Sequence, residues 1–239
     1  MNKCSQVALI LPAKDEASRF GGEPYENCLK TYGDFFREEF GSLFYGLVID
    51  DGSTDDTAQL AEKYGWMVVS HPHNLGKGAA IRTGVSAIIS RESYDPRPII
   101  AFADSDGQYS PDTVYRLIAK VKQGADIAVA KRAESSNNTS WRAPAHLAAS
   151  WLIAHLAYTG VSDAQAGAMA FNGDAADIWV NKTAINGYAA TAEFLHNAYL
   201  AGLRADEVPT QIKEIGGSHV TVHDALRFAL DIVKVSRAS

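Results

Sequence analysis

Short apolar runs alternate along this chain with longer stretches whose apolar residues recur at helical spacing. The runs Val7–Leu11, Leu47–Asp50, Met67–Val69, Ile99–Ala103 and Asp126–Ala130 predict strands. Helices are expected between them at about Glu26–Phe40, Asp55–Tyr64, Ala79–Ile89 and Pro111–Lys122. This alternation implies an α/β fold, with a mostly parallel central sheet flanked by helices. Ser53 or Thr54 is expected to cap the second helix, with Asp55 and Asp56 in its first turn, where the helix dipole favours them. After Ala130 the pattern loosens. A polar loop is expected at Glu134–Ser140, an apolar-rich helix at Pro144–Tyr158 and a strand at Gly167–Asn172. A helix at Ala192–Gly202, a strand at Arg204–Val208 and an amphipathic helix at Val222–Arg237 follow.

Length and charge narrow the classes. A chain of 239 residues can bury a sizeable core as one large domain or two small ones, and its net charge of −6 leaves no basic excess for a generic nucleic-acid binder. Two cysteines, Cys4 and Cys28, are too few for a disulfide framework or a Cys-based zinc site. The first apolar run is cut off by Pro12, Lys14 and Asp15, so it reads as a strand and not a signal peptide. No run reaches the roughly 18 residues of a membrane span. The sequons at Asn137, Asn138 and Asn181 read as chance matches, and a reducing, cytoplasmic setting is expected.

The chemistry gathers at strand ends, where a parallel sheet places its functional groups. Three early strands end in polar clusters: Pro12–Glu16, Asp50–Ser53 and Asp104–Gln108. Such acidic clusters repel one another unless a cation or ligand sits among them. If Asp104-Ser105-Asp106-Gly107-Gln108 is extended, alternation points Asp104, Asp106 and Gln108 the same way. Two carboxylates and an amide oxygen suit Mg²⁺ or Mn²⁺, although an acidic turn capping the next helix has the same letters. Asp50 and Asp51 are placed to accept from a ribose hydroxyl or a base N–H, or to form a turn.

Asn74-Leu75-Gly76-Lys77-Gly78 fails the Walker A spacing: no Gly stands five residues before Gly76 and no Ser or Thr follows Lys77. Its glycines and Lys77 still offer a diphosphate a helix N-terminus, or they simply start a helix. His71 and His73 flank Pro72 with no carboxylate or Cys close in sequence, which reads as a surface turn.

In order and spacing these residues resemble the family 2 glycosyltransferases of GT-A fold. The resemblance covers roughly the first 135 residues, through Leu11–Glu16, Val48–Asp55, Asn74–Ala79 and Ala103–Gln108. More faintly, the second half is similar to the dolichyl- or polyprenyl-phosphate members. It does so at Lys131-Arg132, Trp141-Arg142, Asp163–Gly167, Gly187-Tyr188 with Glu193, and Glu214–Ser218. The long first connection and the Asn-x-Gly-Lys-Gly form lean toward the dolichyl-phosphate β-glucosyltransferase branch. Two positions depart from that pattern. Gly167-Ala168-Met169 stands where Gly-Phe followed by Arg or Lys is usual, and Gly217-Ser218-His219 where Gly-Ser-Lys is usual.

The resemblance implies one domain over 1–239, with a donor half to about residue 135 and an acceptor half from about 136. Pro12, Glu16, Asp50 and Asp51 would hold the nucleoside of a UDP- or GDP-hexose. Asp104, Asp106 and Gln108 would bind the metal on its diphosphate, beside Lys77, and Arg132 and Arg142 would face phosphates. The expected reaction is inverting hexose transfer, with a lipid phosphate at a membrane surface as candidate acceptor. With a hydroxyl acceptor, Glu193 is the candidate general base, unless it is only a first-turn acid. Two rivals remain: a nucleotidyltransferase, which would carry a Gly-rich basic loop after the first strand, and a nucleotide-sugar-binding protein without catalysis.

Overall fold

A computed structural model describes residues 6–91, 98–132, 159–213, 230–233 and 235. Among these, seven strands form one sheet: β1 (Val7–Ala13), β2 (Phe44–Asp50), β3 (Met67–Ser70), β4 (Ile99–Ala103), β5 (Ile127–Arg132), β6 (Ala168–Phe171) and β7 (Ala205–Thr210). Their order is β3-β2-β1-β4-β6-β5-β7. β1, β2, β3 and β4 are mutually parallel, as are β5 and β7, while β6 runs antiparallel to both β4 and β5.

Among the described residues six α-helices lie between the strands: α1 (Glu23–Phe40), α2 (Thr57–Lys63), α3 (Lys77–Ile89), α4 (Pro111–Lys122), α5 (Gly173–Asn181) and α6 (Ala190–Leu200). On one face α1 and α4 pack together, and Tyr32, Phe36 and Phe40 of α1 stack in series. On the other face α3 packs on α5 and α6, and Trp179 and Phe194 stack against each other beside Phe171. β1 and β4 are fully buried except for Pro12 of β1, which explains why they read as continuous apolar runs.

The chain winds outward from β1 through β2 to β3, then returns to β4 on the other side of β1. That reversal opens a crevice at the carboxyl ends of β1 and β4. Both ends carry polar clusters, and Ser105 Oγ, donating to the Pro12 carbonyl at 2.8 Å, ties them together.

Three local expectations need correcting. First, Ser53 and Thr54 do not cap α2. Its N-cap is Asp56, without a side-chain bond; Ser53 Oγ instead accepts from Asp15 N at 2.9 Å, and Thr54 N donates to Asp15. Second, the 104–108 segment is a turn, not extended, because Gly107 adopts φ +77 and Asp106 Oδ1 accepts from Gln108 N at 3.0 Å. Asp104, Asp106 and Gln108 therefore do not share a direction by strand alternation. Third, the apolar stripe expected on the terminal amphipathic helix comprises Val222, Leu226, Leu230 and Val233, and of these Leu230 is not buried. Leu230 is 65% exposed, while Asp231, Ile232 and Val235 are buried. Val222, Leu226, Arg227, Lys234 and Arg237 lie outside the described residues, as do Trp141, Arg142, Pro144–Tyr158, Glu214–Ser218 and His219.

Candidate active site

The first strand-end loop is zipped to the second. Glu16 N and Ala17 N donate to Thr57 Oγ1, Ser18 N donates to Asp55, and Lys14 Nζ reaches the Gly52 carbonyl. The zipper turns Glu16 toward the third cluster. Burial pushes its carboxyl up to about 7; Arg19, bonded to it at 3.1 Å, opposes the rise, and the charges of Asp106 and Asp104 add to it. Asp106 is raised too, first by burial and then by the charge of Asp104. Three carboxylates thus meet at the crevice, and the ammonium of Lys77 pairs with Asp104.

The oxygen set fits a hard divalent cation. Asp104 and Asp106 supply carboxylates that repel each other without one, and so few protein ligands leave coordination positions for substrate phosphates. Among the described residues, no three His, Cys, Asp or Glu side chains form a metal-holding group by themselves. Gly167 backs the cluster: its carbonyl accepts from Asp104 N at 2.9 Å, and a Cβ there would stand 2.2 Å from Asp104 Oδ2. A cavity of about 290 Å³ opens beside Asp106, lined also by Asn27, Thr31, Tyr32, Ser110 and Lys213.

The second cluster faces inward. Asp50 accepts from Ser53 N at 2.9 Å. Asp51, 5% exposed, accepts from His71 Nδ1 (2.7 Å), Leu75 N (2.8 Å) and Gly76 N (2.8 Å). His71 is therefore no surface turn residue; it is 9% exposed, and its Nε2 lies 2.9 Å from Thr83 Oγ1.

The segment 74–78 does start a helix, α3, with Gly76 at its N-cap. Gly78 N and Ala79 N both donate to the Asn186 carbonyl, so these two amides are not open to a diphosphate. Gly76 and Gly78 are needed for this packing. Their Cβ atoms would stand 2.4 Å from Asn186 O and from the Ala190 side chain respectively. Arg82 fastens the same loop through the Thr183 carbonyl and the Asn186 side chain.

Arg132 is bidentate to Asp163, with Nε at 2.8 Å and Nη2 at 2.7 Å. Burial opposes its charge, and the Asp163 carboxylate more than compensates, raising its pKa. Glu193 Oε2 accepts from Ile185 N at 2.7 Å; burial raises this carboxyl, against the Ile185 and Ala184 amides. Asn186, and the contacts of His71 with Asp51 and of Asp163 with Arg132, carry no signal in residue type, because each partner is distant in sequence.

A family model described as "Glycosyl transferase family 2" matches residues 28–179. An uncharacterized protein of Methanocaldococcus jannaschii is 27% identical over 96% of this chain and 93% of its own. A dolichyl-phosphate beta-glucosyltransferase of Trichomonas vaginalis is 27% identical over 80% of this chain, which spans 59% of that relative's length. Among solved structures, glucosyl-3-phosphoglycerate synthase of Mycobacterium tuberculosis, in complex with Mn²⁺, UDP and glucosyl-3-phosphoglycerate, matches with TM-score 0.69. It is 19% identical over 98% of this chain and 80% of its own. Mannosyl-3-phosphoglycerate synthase of Rubrobacter xylanophilus matches with TM-score 0.71, 19% identity and coverage of 98% and 73%. The fold shared with them is GT-A.

Proposed function

The chain belongs to glycosyl transferase family 2, and from that premise we propose that it moves a hexose, with inversion, from a UDP- or GDP-linked donor to a phosphate-bearing acceptor, a lipid phosphate first. What carries this reading is the meeting of Glu16, Asp104, Asp106 and Lys77 at the switch point of the sheet.

Pro12, Glu16, Asp50 and Asp51 line the nucleoside end. Any contact from Asp51 is a further bond on oxygens that already accept three. Asp104, Asp106 and Gln108 would hold Mg²⁺ or Mn²⁺, which as a Lewis acid offsets charge on the departing diphosphate. Lys77 supplies a cation to the same diphosphate. Arg132, with Arg142 outside the described residues, orients the acceptor phosphate, and Asp163 fixes the plane of the Arg132 guanidinium.

A phosphate acceptor needs no strong base, being anionic at neutral pH. Glu193, the candidate base for a hydroxyl acceptor, is engaged with the loop at Ile185, which favours the phosphate. A second reading, a water-soluble acceptor, draws on Met169: where the lipid-phosphate relatives usually carry a cation, this side chain is fully buried in β6. Phosphoglyceric acid in complexes of the Mycobacterium tuberculosis synthase supports the same alternative.

The test is calorimetry and transfer assays with UDP- and GDP-hexoses, with Mn²⁺ or with EDTA. Asp104→Ala and Asp106→Ala should abolish transfer and the metal-dependent share of donor affinity, with an unchanged melting point. Equal donor affinity in Mn²⁺ and in EDTA would overturn the metal reading. Dolichyl phosphate in liposomes against 3-phosphoglycerate in solution separates the two acceptors.

A further inference from the structure

Lys77 stands at the first position of α3, and its approach to Asp104 depends on the turn before it. That turn is held from one side by a buried chain of polar contacts. His71 leaves β3 with its amide on the Asp50 carbonyl at 2.8 Å, so the end of β3 lies against the end of β2. Its Nδ1 meets the Asp51 carboxylate, which only accepts, so Nδ1 carries the proton and Nε2 faces the Thr83 hydroxyl. Asp51 then takes the amides of Leu75 and Gly76. Gly52, at φ +69, completes the cradle: a Cβ there would stand 2.5 Å from the His73 carbonyl carbon. The path Thr83, His71, Asp51, Gly76, Lys77, Asp104 is continuous and joins α3 to itself across the ends of two strands.

We propose that His71 is a positioning residue, which through Asp51 sets the 74–76 turn and so aims the Lys77 ammonium at the donor diphosphate. The proposal rests on the reading that Lys77 serves that diphosphate. His71 itself touches neither Asp104 nor Lys77; it orients the one carboxylate that grips the amide next to Lys77. Removing its Nδ1 donor leaves a buried carboxylate with only the Leu75 and Gly76 amides as donors, so its direction is no longer fixed from the end of β3.

The experiment measures UDP and GDP affinity of the full chain by calorimetry in Mn²⁺, with thermal unfolding alongside. His71→Gln places its amide toward Thr83 and away from Asp51, and should weaken the bound nucleotide by roughly tenfold. His71→Asn keeps a donor at the Nδ1 position and should bind like the wild type. Lys77→Met should weaken binding by itself, and adding His71→Gln to it should change affinity no further, because the effect of His71 passes through Lys77. An equal loss from His71→Gln in both backgrounds overturns the proposal, as does wild-type affinity in folded His71→Gln. If Lys77→Met alone leaves affinity unchanged, the diphosphate reading of Lys77 falls instead. Should His71→Gln not fold, Thr83→Val, which cuts the far hydrogen bond of the ring, repeats the cycle with the same two outcomes.

Discussion

Glu16 shows how one side chain reports the state of the crevice. Its carboxyl is raised to about 7, by burial first and by the neighbouring carboxylates after it. An acid raised in the folded chain costs stability wherever it ionises: the cost is absent below its unfolded value near 4.5 and complete above about 7. The metal-free protein should therefore lose stability between pH 4.5 and 7 through this group, by roughly 3 kcal/mol at most. Glu16→Gln should flatten that part of the profile, and urea midpoints at pH 5 and pH 8 measure it. An unchanged difference between the two pH values would mean that Glu16 is better solvated than its surroundings imply. The acidic strand ends that raise Glu16 were legible from sequence, because strand, turn and carboxylate follow one another within a few residues. The Asp51–His71 pair was not, since the two lie far apart in sequence and meet only through the register that sets Asp50 beside Ser70.

At the scale of elements, the start of α3 carries the most tension between pattern and packing. A glycine-flanked lysine at a helix start suggests a phosphate cradle, yet the amides there are closed by Asn186 and the glycines make room for the 185–190 segment. Composition does not distinguish a glycine that admits a ligand from one that admits another loop. Gly78→Ala places a methyl 2.4 Å from the Ala190 side chain and 2.6 Å from the Ile185 carbonyl. It should cost about 1–3 kcal/mol, the usual penalty of overpacking, and should weaken nucleotide binding as the Lys77 turn shifts. A melting point equal to the wild type would show that the 185–190 loop moves aside freely. The first five strands and four helices were legible within a few residues of their ends, since each is a clean apolar run or helical stripe. The direction of β6 was not, because a four-residue buried strand reads the same in either sense.

At the scale of the whole molecule the question is where the acceptor comes from. Among the described residues no helix is long and apolar enough to cross a membrane. Leu230, 65% exposed on the last helix, sits in a sequence with Arg227, Lys234 and Arg237 nearby. An exposed apolar position with basic neighbours suits an anionic membrane surface, where each basic residue adds about 1 kcal/mol. Partial, salt-sensitive co-sedimentation with anionic liposomes is expected. Leu230→Glu should reduce it without lowering the melting point, as the side chain has little packing to lose. No binding to liposomes, together with transfer to 3-phosphoglycerate, would leave the soluble acceptor as the working reading.

Because β6 runs against β4 and β5, the chain leaves β5 at Arg132 and enters β6 at Ala168 on one and the same rim, the rim of Asp104. A parallel β6 would have required a crossing back over the sheet. The two strand ends that bound residues 133–167 therefore both lie beside the carboxylates of the crevice. On the proposed reading, an exchange of sequence between those two ends is where a change of acceptor should be sought, since it leaves the donor side of the crevice, built from β1, β2 and β4, untouched.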